Sequence, residues 1–228
     1  MKKKVRNFLP RGLVQEVRRI RYHWLIRRGQ FVSTEYEFER LGGLIKAGET
    51  VIDIGANVGH YTLLLSRCVA DEGLVIAFEP IGSTFDLLAS NITKANAKNV
   101  TLINAAVGKK ADLIHFTIPD GNPYLAHESD DGEIASLSVR LADILPADRL
   151  VSLIKIDAEG ADAEIARSIS DLVAKARPYI MIELTGVDAE RVANWYKDYA
   201  VWQLPGSHNS ILYPLELNQR VCAVLSDD

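Results

Sequence analysis

The sequence predicts an α/β protein in which helices cover both faces of a mostly parallel sheet, with an antiparallel strand at one edge and an added N-terminal helical extension. Two observations support this fold class. Short β-branched segments alternate with helical patterns from residue 51 onward. These short segments are almost continuously apolar, which is typical of strands that are buried on both faces. The length of 228 residues suits one such domain with an appendage.

Two helices are predicted before the sheet. The first is basic and amphipathic, because four apolar residues recur at helical spacing. They are Leu13, Val17, Ile20 and Trp24. For the second helix, Thr34 and Glu37 have the spacing of a capping box, and the helix is expected to end near Ile45. We therefore divide the chain into a basic arm, residues 1–30, and a main domain, residues 31–228.

The main domain is predicted to alternate between strands and helices. Strands are expected at Val51–Ile54, Leu74–Phe78, Val100–Asn104, Val151–Ile156 and Tyr179–Leu184, with closing strands near Val201–Leu204, Ile211–Tyr213 and Val221–Leu225. Helices are expected at Val58–Val69, Ser83–Ala95, Ala161–Ala176 and Ala189–Lys197, and a helix or turn at Leu141–Leu145. The turn-rich segment from Leu113 to Val139 is interpreted as an inserted hairpin with a mobile tip. Because the last two strands are close in sequence, we expect them to pair antiparallel at the sheet edge.

Charge is distributed unevenly along the chain. Residues 1–30 contain ten Lys or Arg and a single acidic residue, Glu16, whereas the rest of the chain is strongly acidic. This pattern is typical of an arm that contacts an anionic membrane or a partner protein, and it is equally typical of an arm that folds back on its own acidic body. Nucleic-acid binding is disfavoured, because the acidic body would repel a phosphate backbone.

Other sequence features set expectations about location, metals and cysteines. The chain has no apolar stretch long enough to span a bilayer and no secretory signal pattern, so we expect a cytoplasmic protein whose arm can associate with the inner face of the membrane. Cys68 and Cys222 lie in apolar runs without C-x-x-C spacing and are expected in the core. No metal-binding motif is found, so no required metal is expected. The oligomeric state is left open.

A glycine-rich turn follows the first predicted strand, in VIDIGANVGHYT. Gly55 and Gly59 stand at the mouth of a helix, where a tight turn brings the backbone close to a ligand. A dinucleotide fingerprint would need glycine at positions 57 and 60, where this chain has Asn57 and His60, and the G-K-[ST] of a triphosphate loop is also missing. Asp53, at the strand end, is expected to offer its carboxylate to the ammonium group of a ligand without phosphates.

Further residues complete the predicted ligand site. Glu79 follows the second strand and is expected to accept hydrogen bonds from both ribose hydroxyls, while Pro80 fixes the turn that presents it. Ala105 and Ala106 follow the third strand and suit an adenine that lies flat against the backbone. Tyr61, with His60 beside it, is expected near the amino acid portion of the ligand. S-adenosylmethionine combines an amino acid head, a cationic sulfur and an adenosine, and is therefore the expected cofactor.

Carboxylates at the ends of the fourth and fifth strands are the candidate catalytic groups. Ligands of open α/β sheets bind beyond the carboxyl ends of the strands, and methyl transfer to a hydroxyl requires alignment and removal of a proton. Asp157 is the first candidate for the base or for orienting the acceptor, Glu159 the second and Glu183 the third. Alternatively, Asp157 and Glu159 cap the next helix, and Lys155 pairs with an acid in a structural role.

Five segments give the chain a resemblance to a known family. They are VIDIGANVGHYTLLLS, VIAFEPIGSTFDLLASN, NAAVG, VRLADIL and LIKIDAEGADAEI. On these segments the chain resembles, from roughly Glu37 to Leu184, the FkbM-type methyltransferases, a branch of the class I S-adenosylmethionine-dependent fold. The resemblance implies a Rossmann-like, seven-stranded sheet and O-methylation of a hydroxyl on a sugar, glycan or secondary metabolite. One departure is the leucine–aspartate pair of the family, because here Leu141 is followed by Ala142, with Asp143 one place later.

Two other functions remain open from the sequence: a nicotinamide-dependent oxidoreductase on a related sheet, and a non-catalytic cofactor-binding module. The segment Asn122-Pro123-Tyr124 is similar to the N-P-P-[YF] motif of enzymes that methylate amino groups of nucleic acids. That motif should follow the fourth strand, where this chain has Asp157–Gly160, so the segment is predicted to be a turn. The preferred acceptor is therefore a small molecule or a glycan.

Overall fold

The computed structural model describes residues 11–119, 126–145, 149–203 and 206–226. The first ten residues of the basic arm and the Asn122-Pro123-Tyr124 segment at the tip of the predicted hairpin lie outside the described residues. Within the described ranges, no helix has the length and the apolar character needed to cross a membrane.

The described elements follow the predicted alternation of strands and helices. The strands are β1 (Thr50–Ile54), β2 (Leu74–Phe78), β3 (Val100–Ile103), β4 (Ala106–Val107), β5 (Asp112–Thr117), β6 (His127–Glu128), β7 (Ile134–Val139), β8 (Val151–Ile156), β9 (Tyr179–Ile182), β10 (Tyr199–Gln203) and β11 (Ser210–Pro214). The helices are α1 (Arg11–Arg27), α2 (His60–Val69), α3 (Gly82–Ala95), α4 (Leu141–Ile144), α5 (Asp162–Ser168), α6 (Ser170–Ala176), α7 (Gly186–Ala193) and α8 (Asn218–Leu225). Two 3-10 helices cover Arg40–Leu44 and Leu215–Leu217.

A seven-stranded sheet forms the centre of the fold, in the order β10-β11-β9-β8-β1-β2-β3. The pairs from β9 to β3 are parallel, whereas β11 pairs antiparallel with both β9 and β10. The predicted mostly parallel sheet with antiparallel pairing at one edge is therefore confirmed, and the antiparallel strand lies one position in from the edge. The chain order reverses between β1 and β8, and ligands of such sheets bind beside this reversal.

Both faces of the sheet are covered by helices. On one face, isoleucines at alternate positions of β1, β8 and β9 pack against α5, α6 and α7. On the other face, the intervening side chains of the same strands pack against α2, α8 and the first 3-10 helix. Helix α3 packs beside α2 through Leu87 and Leu88. Cys68 and Cys222 are both half-buried rather than fully enclosed in the core.

The inserted segment forms part of a second, smaller sheet. Its order is β4-β7-β5-β6, and β5 and β7 form the predicted antiparallel hairpin. The hydroxyl of Ser136 in β7 donates a hydrogen bond of 3.0 Å to the carbonyl oxygen of Pro80, which follows β2. The hairpin is thereby attached to the carboxyl edge of the large sheet.

The predicted capping box at Thr34 and Glu37 is wrong. Residues 35–39 form turns, and only a 3-10 helix, Arg40–Leu44, follows. The carboxylate of Glu37 is fully buried and accepts hydrogen bonds from Ser207 and Asn209, near the other end of the chain. A side chain that faces the interior in this way cannot reach back to the helix start.

Two other predicted elements need correction. Val221–Leu225 is not a strand but lies in α8, where Val221 and Leu225 are buried at the i, i+4 spacing of a helix. The expected antiparallel pairing of the last two predicted strands is therefore wrong, and β11 pairs antiparallel with β10 and β9 instead. The helix expected at Ala161–Ala176 is interrupted at Ile169, so that α5 and α6 are separate. The hydroxyls of Ser168 and Ser170 donate to backbone carbonyls of the preceding turn, a contact that competes with regular helix.

Candidate functional site

A cavity of about 820 Å³ opens at the carboxyl ends of the parallel strands. It begins beside the reversal of strand order between β1 and β8 and extends to the small sheet. Residues from both sheets form its wall: Gly55, Asn57, Glu79, Pro80, Ile81, Thr84, Ala105, Ala106, Lys109, Lys110, Asp112, His127, Glu128, Asp130, Asp157, Glu159 and Glu164 are among them. Of the residues predicted for the site, eight therefore line one cavity.

The glycine-rich turn after β1 forms the floor of the cavity. Gly55 has a φ of +75°, and a β-carbon at this position would lie 1.7 Å from the carbonyl oxygen of Asp157. Only glycine allows β1 and β8 to approach so closely. Asn57 also has a positive φ, of 51°, which asparagine tolerates better than most residues. This conformation directs the Asn57 backbone N–H toward the end of β2.

Glu79, at the end of β2, accepts a hydrogen bond from that N–H. Its two carboxylate oxygens accept hydrogen bonds from the backbone of Asn57, at 3.0 Å, and of Ile81, at 2.9 Å. The side chain is only 5% exposed, and burial raises the pKa of Glu79 to about 7 although both N–H groups oppose the shift. Each oxygen retains a second lone pair, so the group can still accept hydrogen bonds from hydroxyls in the cavity.

Unpartnered polar atoms mark the same wall. The Oδ1 atom of Asn57 and the Oγ1 atom of Thr84 are both buried, and neither has a hydrogen-bond partner within the described part of the chain. Ala105 and Ala106, after β3, leave room beside them. Buried polar atoms without partners are rare in folded proteins. Asn57 and Thr84 line the cavity, so a ligand bound there would lie beside these unpartnered atoms.

A buried lysine organises the other side of the site. The Nζ atom of Lys155 lies 2.9 Å from Oδ2 of Asp157 and 3.6 Å from Oδ1 of Asp53. Burial disfavours the charge of Lys155, but the two carboxylates raise its pKa above the usual value. The Thr62 hydroxyl donates to Asp53 at 2.6 Å. Lys155 therefore stays charged and fixes the carboxylate of Asp157 at the cavity wall.

Glu183 belongs to an acidic cluster with Asp157. Burial, followed by the charges of Asp157, Asp162 and Glu159, raises the pKa of Glu183 to about 7. Burial, followed by the charges of Asp157 and Asp162, also raises the pKa of Glu159, which is exposed at the cavity mouth. Negative charge in this cluster therefore disfavours the ionised form of Glu183.

Asp162 is a residue that the sequence analysis missed. Its carboxylate accepts hydrogen bonds from the backbone N–H groups of Ala158, at 3.0 Å, and Gly160, at 3.1 Å. Asp162 therefore holds the turn between β8 and α5, while no side chain of the described residues, neither Asp157 nor Glu159, caps the start of α5. The signal in the sequence was an acidic residue two places after the glycine of DAEGAD.

Four predicted site residues lie off the cavity wall within the described structure: Asp53, Gly59, Tyr61 and Glu183. Asp53 is fully buried against Lys155 and Thr62, so the expected contact with a ligand ammonium group is not what the geometry supports. The hydroxyl of Tyr61 donates to Glu35, and its ring lies 5.0 Å from Lys155 Nζ. Asp53 and Tyr61 therefore contact Lys155, which in turn holds Asp157.

Gly59 and the neighbouring His60 serve packing. Gly59 has a φ of +96°, and a β-carbon there would lie 2.7 Å from a methyl group of Leu88. The His60 ring stacks on Phe31 with centroids 4.1 Å apart, and burial lowers its pKa. Gly59 therefore lets α2 pack closely on α3, and His60 packs on the segment that follows α1. Contrary to the expectation, His60 does not line the cavity.

The far end of the cavity is acidic. Lys109 and Lys110 are its basic residues within the described ranges, and they form ion pairs with Glu164, at 3.0 Å, and Asp112, at 2.5 Å. Further acids are not matched by lysine or arginine on this wall: Glu128, Asp130 and Glu159. The cavity thus joins the wall at Glu79 and Thr84 to the carboxylate of Asp157 and to an acidic outer end.

Comparisons with known proteins point to one family. The profile of the FkbM methyltransferase domain matches residues 53–212. A curated protein from Beauveria bassiana, "Methyltransferase 1", is 25% identical over 146 residues, which are 53% of this chain and 58% of that protein. The chain therefore spans less than two thirds of this relative.

Two solved structures share the fold. The methyltransferase FkbM of Methylobacillus flagellatus superimposes with a TM-score of 0.54 and 14% identity, over 86% of this chain and 59% of that one. A methyltransferase from Geobacter sulfurreducens gives a TM-score of 0.51 and 13% identity, over 93% of each chain. At these identities the structural similarity shows only the fold. The family is shown by the profile match, which covers more than half of the chain. This chain belongs to the FkbM methyltransferase domain family.

Proposed function

We propose that this protein transfers a methyl group from S-adenosylmethionine to a hydroxyl of a small or glycan acceptor. One observation supports this proposal above the others: Glu79, Thr84 and Asp157 line one cavity. Family membership is consistent with this chemistry.

The wall beside β2 and β3 fits the nucleoside portion of the donor. Glu79 would accept hydrogen bonds from ribose hydroxyls, and the unpartnered Oγ1 of Thr84 and Oδ1 of Asn57 would bond polar atoms of the base or the sugar. The donor supplies an electrophilic methyl group on a cationic sulfur. No phosphate is required, in keeping with a turn that lacks the dinucleotide glycines.

Asp157 would orient the acceptor hydroxyl and take its proton. Lys155 holds this carboxylate with a contact of 2.9 Å. The proton of the acceptor hydroxyl would pass to Asp157 as the methyl group forms its bond to the acceptor oxygen. Positioning supplies roughly 7–11 kcal/mol in well-oriented reactions, and a general base adds about 10²–10⁴-fold.

The charge of the outer cavity favours a neutral, hydroxylated acceptor. Both wall lysines are engaged by acids, and Glu128, Asp130 and Glu159 add negative charge. A phosphorylated acceptor would be repelled by these carboxylates, and both lysines of this wall are already paired with acids. We therefore expect sugars without phosphate groups, or polyhydroxylated metabolites, to be preferred over their phosphate esters.

The proposal is tested by the variant Asp157→Asn in a methyl-transfer assay with radiolabelled donor and a panel of hydroxylated acceptors. We expect turnover to fall by about 10²–10⁴-fold, because the amide cannot take a proton. Binding of S-adenosylhomocysteine should change little. The matched control is Asp71→Asn, an exposed acid in the turn between α2 and β2 that does not line the cavity.

Two outcomes would count against the proposal. Full turnover in Asp157→Asn would show that this carboxylate is not the base. Absence of turnover by the native protein on every acceptor, with donor binding intact, would favour a non-catalytic cofactor-binding module. A nicotinamide-dependent oxidoreductase would instead bind the dinucleotide and not S-adenosylhomocysteine.

A further inference from the structure

Helix α1 packs on the protein through one face only. Gln15 donates a side-chain hydrogen bond to the backbone of Ser83 at the start of α3, and Nε2 of His23 lies 2.9 Å from Oγ of Ser90 in the same helix. Tyr22, Leu25 and Ile26 pack against the cluster beneath α3. The helix of the arm thus folds back on its own domain, which was one of the alternatives predicted from the uneven charge.

The opposite face of α1 carries a second apolar stripe, and this stripe is exposed. It consists of Leu13, Val17, Ile20 and Trp24, which are between 48 and 68% exposed. Their spacing of four, three and four residues places them in one line along the helix. The face that packs on the protein is the one with Tyr22, Leu25 and Ile26. The apolar stripe predicted from the sequence is therefore exposed to solvent.

Cationic side chains border the exposed stripe. Helical geometry places Arg21 on one side of it and Arg27 on the other, and both are exposed. The guanidinium of Arg28 lies 4.2 Å from the ring centroid of Trp24. The acidic residue of α1, Glu16, is paired with Arg19 at 3.0 Å. The border of the stripe is therefore positively charged.

We propose that this stripe of α1 docks on the surface of a bilayer that contains anionic lipids. An apolar strip one residue wide, with a tryptophan and arginines along its borders, suits the boundary between acyl chains and headgroups. The charges complement anionic headgroups, whereas the rest of the chain is acidic and would be repelled by the same surface. Residues 1–10 add Lys2, Lys3, Lys4 and Arg6 to the positive charge of this end.

The orientation of α1 relates this surface to the cavity. The contacts of Gln15 with Ser83 and of His23 with Ser90 show that α1 and α3 run in the same direction. The start of α3 borders the cavity through Thr84. Docking of α1 would therefore hold this rim of the cavity close to the headgroups.

The test is co-sedimentation of the full chain with vesicles of equal parts phosphatidylglycerol and phosphatidylcholine, and with vesicles of phosphatidylcholine alone. We expect binding to the anionic vesicles at low ionic strength and weaker binding as salt is added. The variant Val17→Ser/Ile20→Ser/Trp24→Gln should lower the partition coefficient by more than about tenfold, because three apolar side chains no longer enter the interface. The pair Arg21→Glu/Arg27→Glu should lower it as well.

Matched controls lie on other surfaces. Val187→Ser/Leu215→Ser removes two apolar side chains that are 79 and 52% exposed, and Lys98→Glu reverses an exposed charge outside α1. Both controls should bind vesicles like the native protein, and the thermal midpoints of all variants should match. Failure of the native chain to sediment with anionic vesicles would overturn the proposal and favour a protein partner. Unchanged binding of the triple variant would also overturn it, since charge alone would then account for attachment.

Discussion

Glu79 is a carboxylate whose environment decides its protonation. Burial raises its pKa from 4.5 to about 7, so the folded protein holds a proton there that the unfolded chain releases above about pH 4.5. The stability that this group contributes is fully present below the unfolded value and is lost as the pH rises through about 7. The difference corresponds to about 3 kcal/mol at most.

We therefore expect Glu79→Gln to flatten the pH dependence of unfolding. The free energy of unfolding, measured with denaturant in the ligand-free protein, should decline between about pH 4.5 and 7 in the native protein. The same decline should be smaller in Glu79→Gln, which cannot titrate, and retained in Asp71→Asn. Parallel profiles for the native protein and Glu79→Gln would show that Glu79 is ionised at low pH in the fold.

The position of single residues was predictable where a strand end defines it. Gly55, Glu79 and Asp157 follow predicted parallel strands, whose carboxyl ends must meet at one edge. The contacts of a side chain were harder to predict from the sequence, because the contacting residues come from distant parts of the chain. Asp53 is buried against Lys155, 102 residues further on, and Glu37 accepts a hydrogen bond from Asn209, 172 residues further on. No local pattern contains such contacts.

At the scale of elements, the close packing of α8 on the first 3-10 helix is a sensitive feature. A β-carbon on Gly43 would lie 2.7 Å from Cγ1 of Val224 and 3.0 Å from Cγ2. We expect Gly43→Ala to lower the free energy of unfolding by about 1–3 kcal/mol through overpacking. Adding Val224→Ala should recover part of this loss, because it removes both methyl groups.

Thermal or denaturant unfolding of the two single variants and the double variant measures this coupling. Gly82→Ala is the control, since a β-carbon there would meet nothing within 4 Å. If the losses of Gly43→Ala and Val224→Ala simply add, the two helices do not pack as closely as the structure indicates.

The elements differ in how well the sequence predicts them. The bounds of β2 and β8 are as predicted. A short, continuously apolar run between turn residues is typical of a strand in a sheet that is covered on both faces. The segment Val221–Leu225 is apolar and short, and a short apolar run fits a strand or a helix equally well. In the structure this segment is helical and packs on Gly43, a contact that the local sequence does not contain.

For the whole molecule, the arm and the main domain form one packed structure within the described residues. The uneven charge predicted two different surfaces, and α1 indeed lies as a basic helix against α3. Removal of α1 would expose the apolar cluster that it covers, which includes Phe31 and Leu87. Point substitutions on the exposed stripe are therefore a cleaner probe of membrane docking than truncation.

The central claim is that the cavity between Glu79 and Asp157 binds S-adenosylmethionine. Calorimetric titration of the native protein and of Thr84→Val with S-adenosylhomocysteine and with NADH tests it most directly. We predict one bound S-adenosylhomocysteine, no binding of NADH, and affinity about two- to tenfold weaker in Thr84→Val, which loses the unpartnered buried hydroxyl. Binding of NADH without binding of S-adenosylhomocysteine would contradict the account.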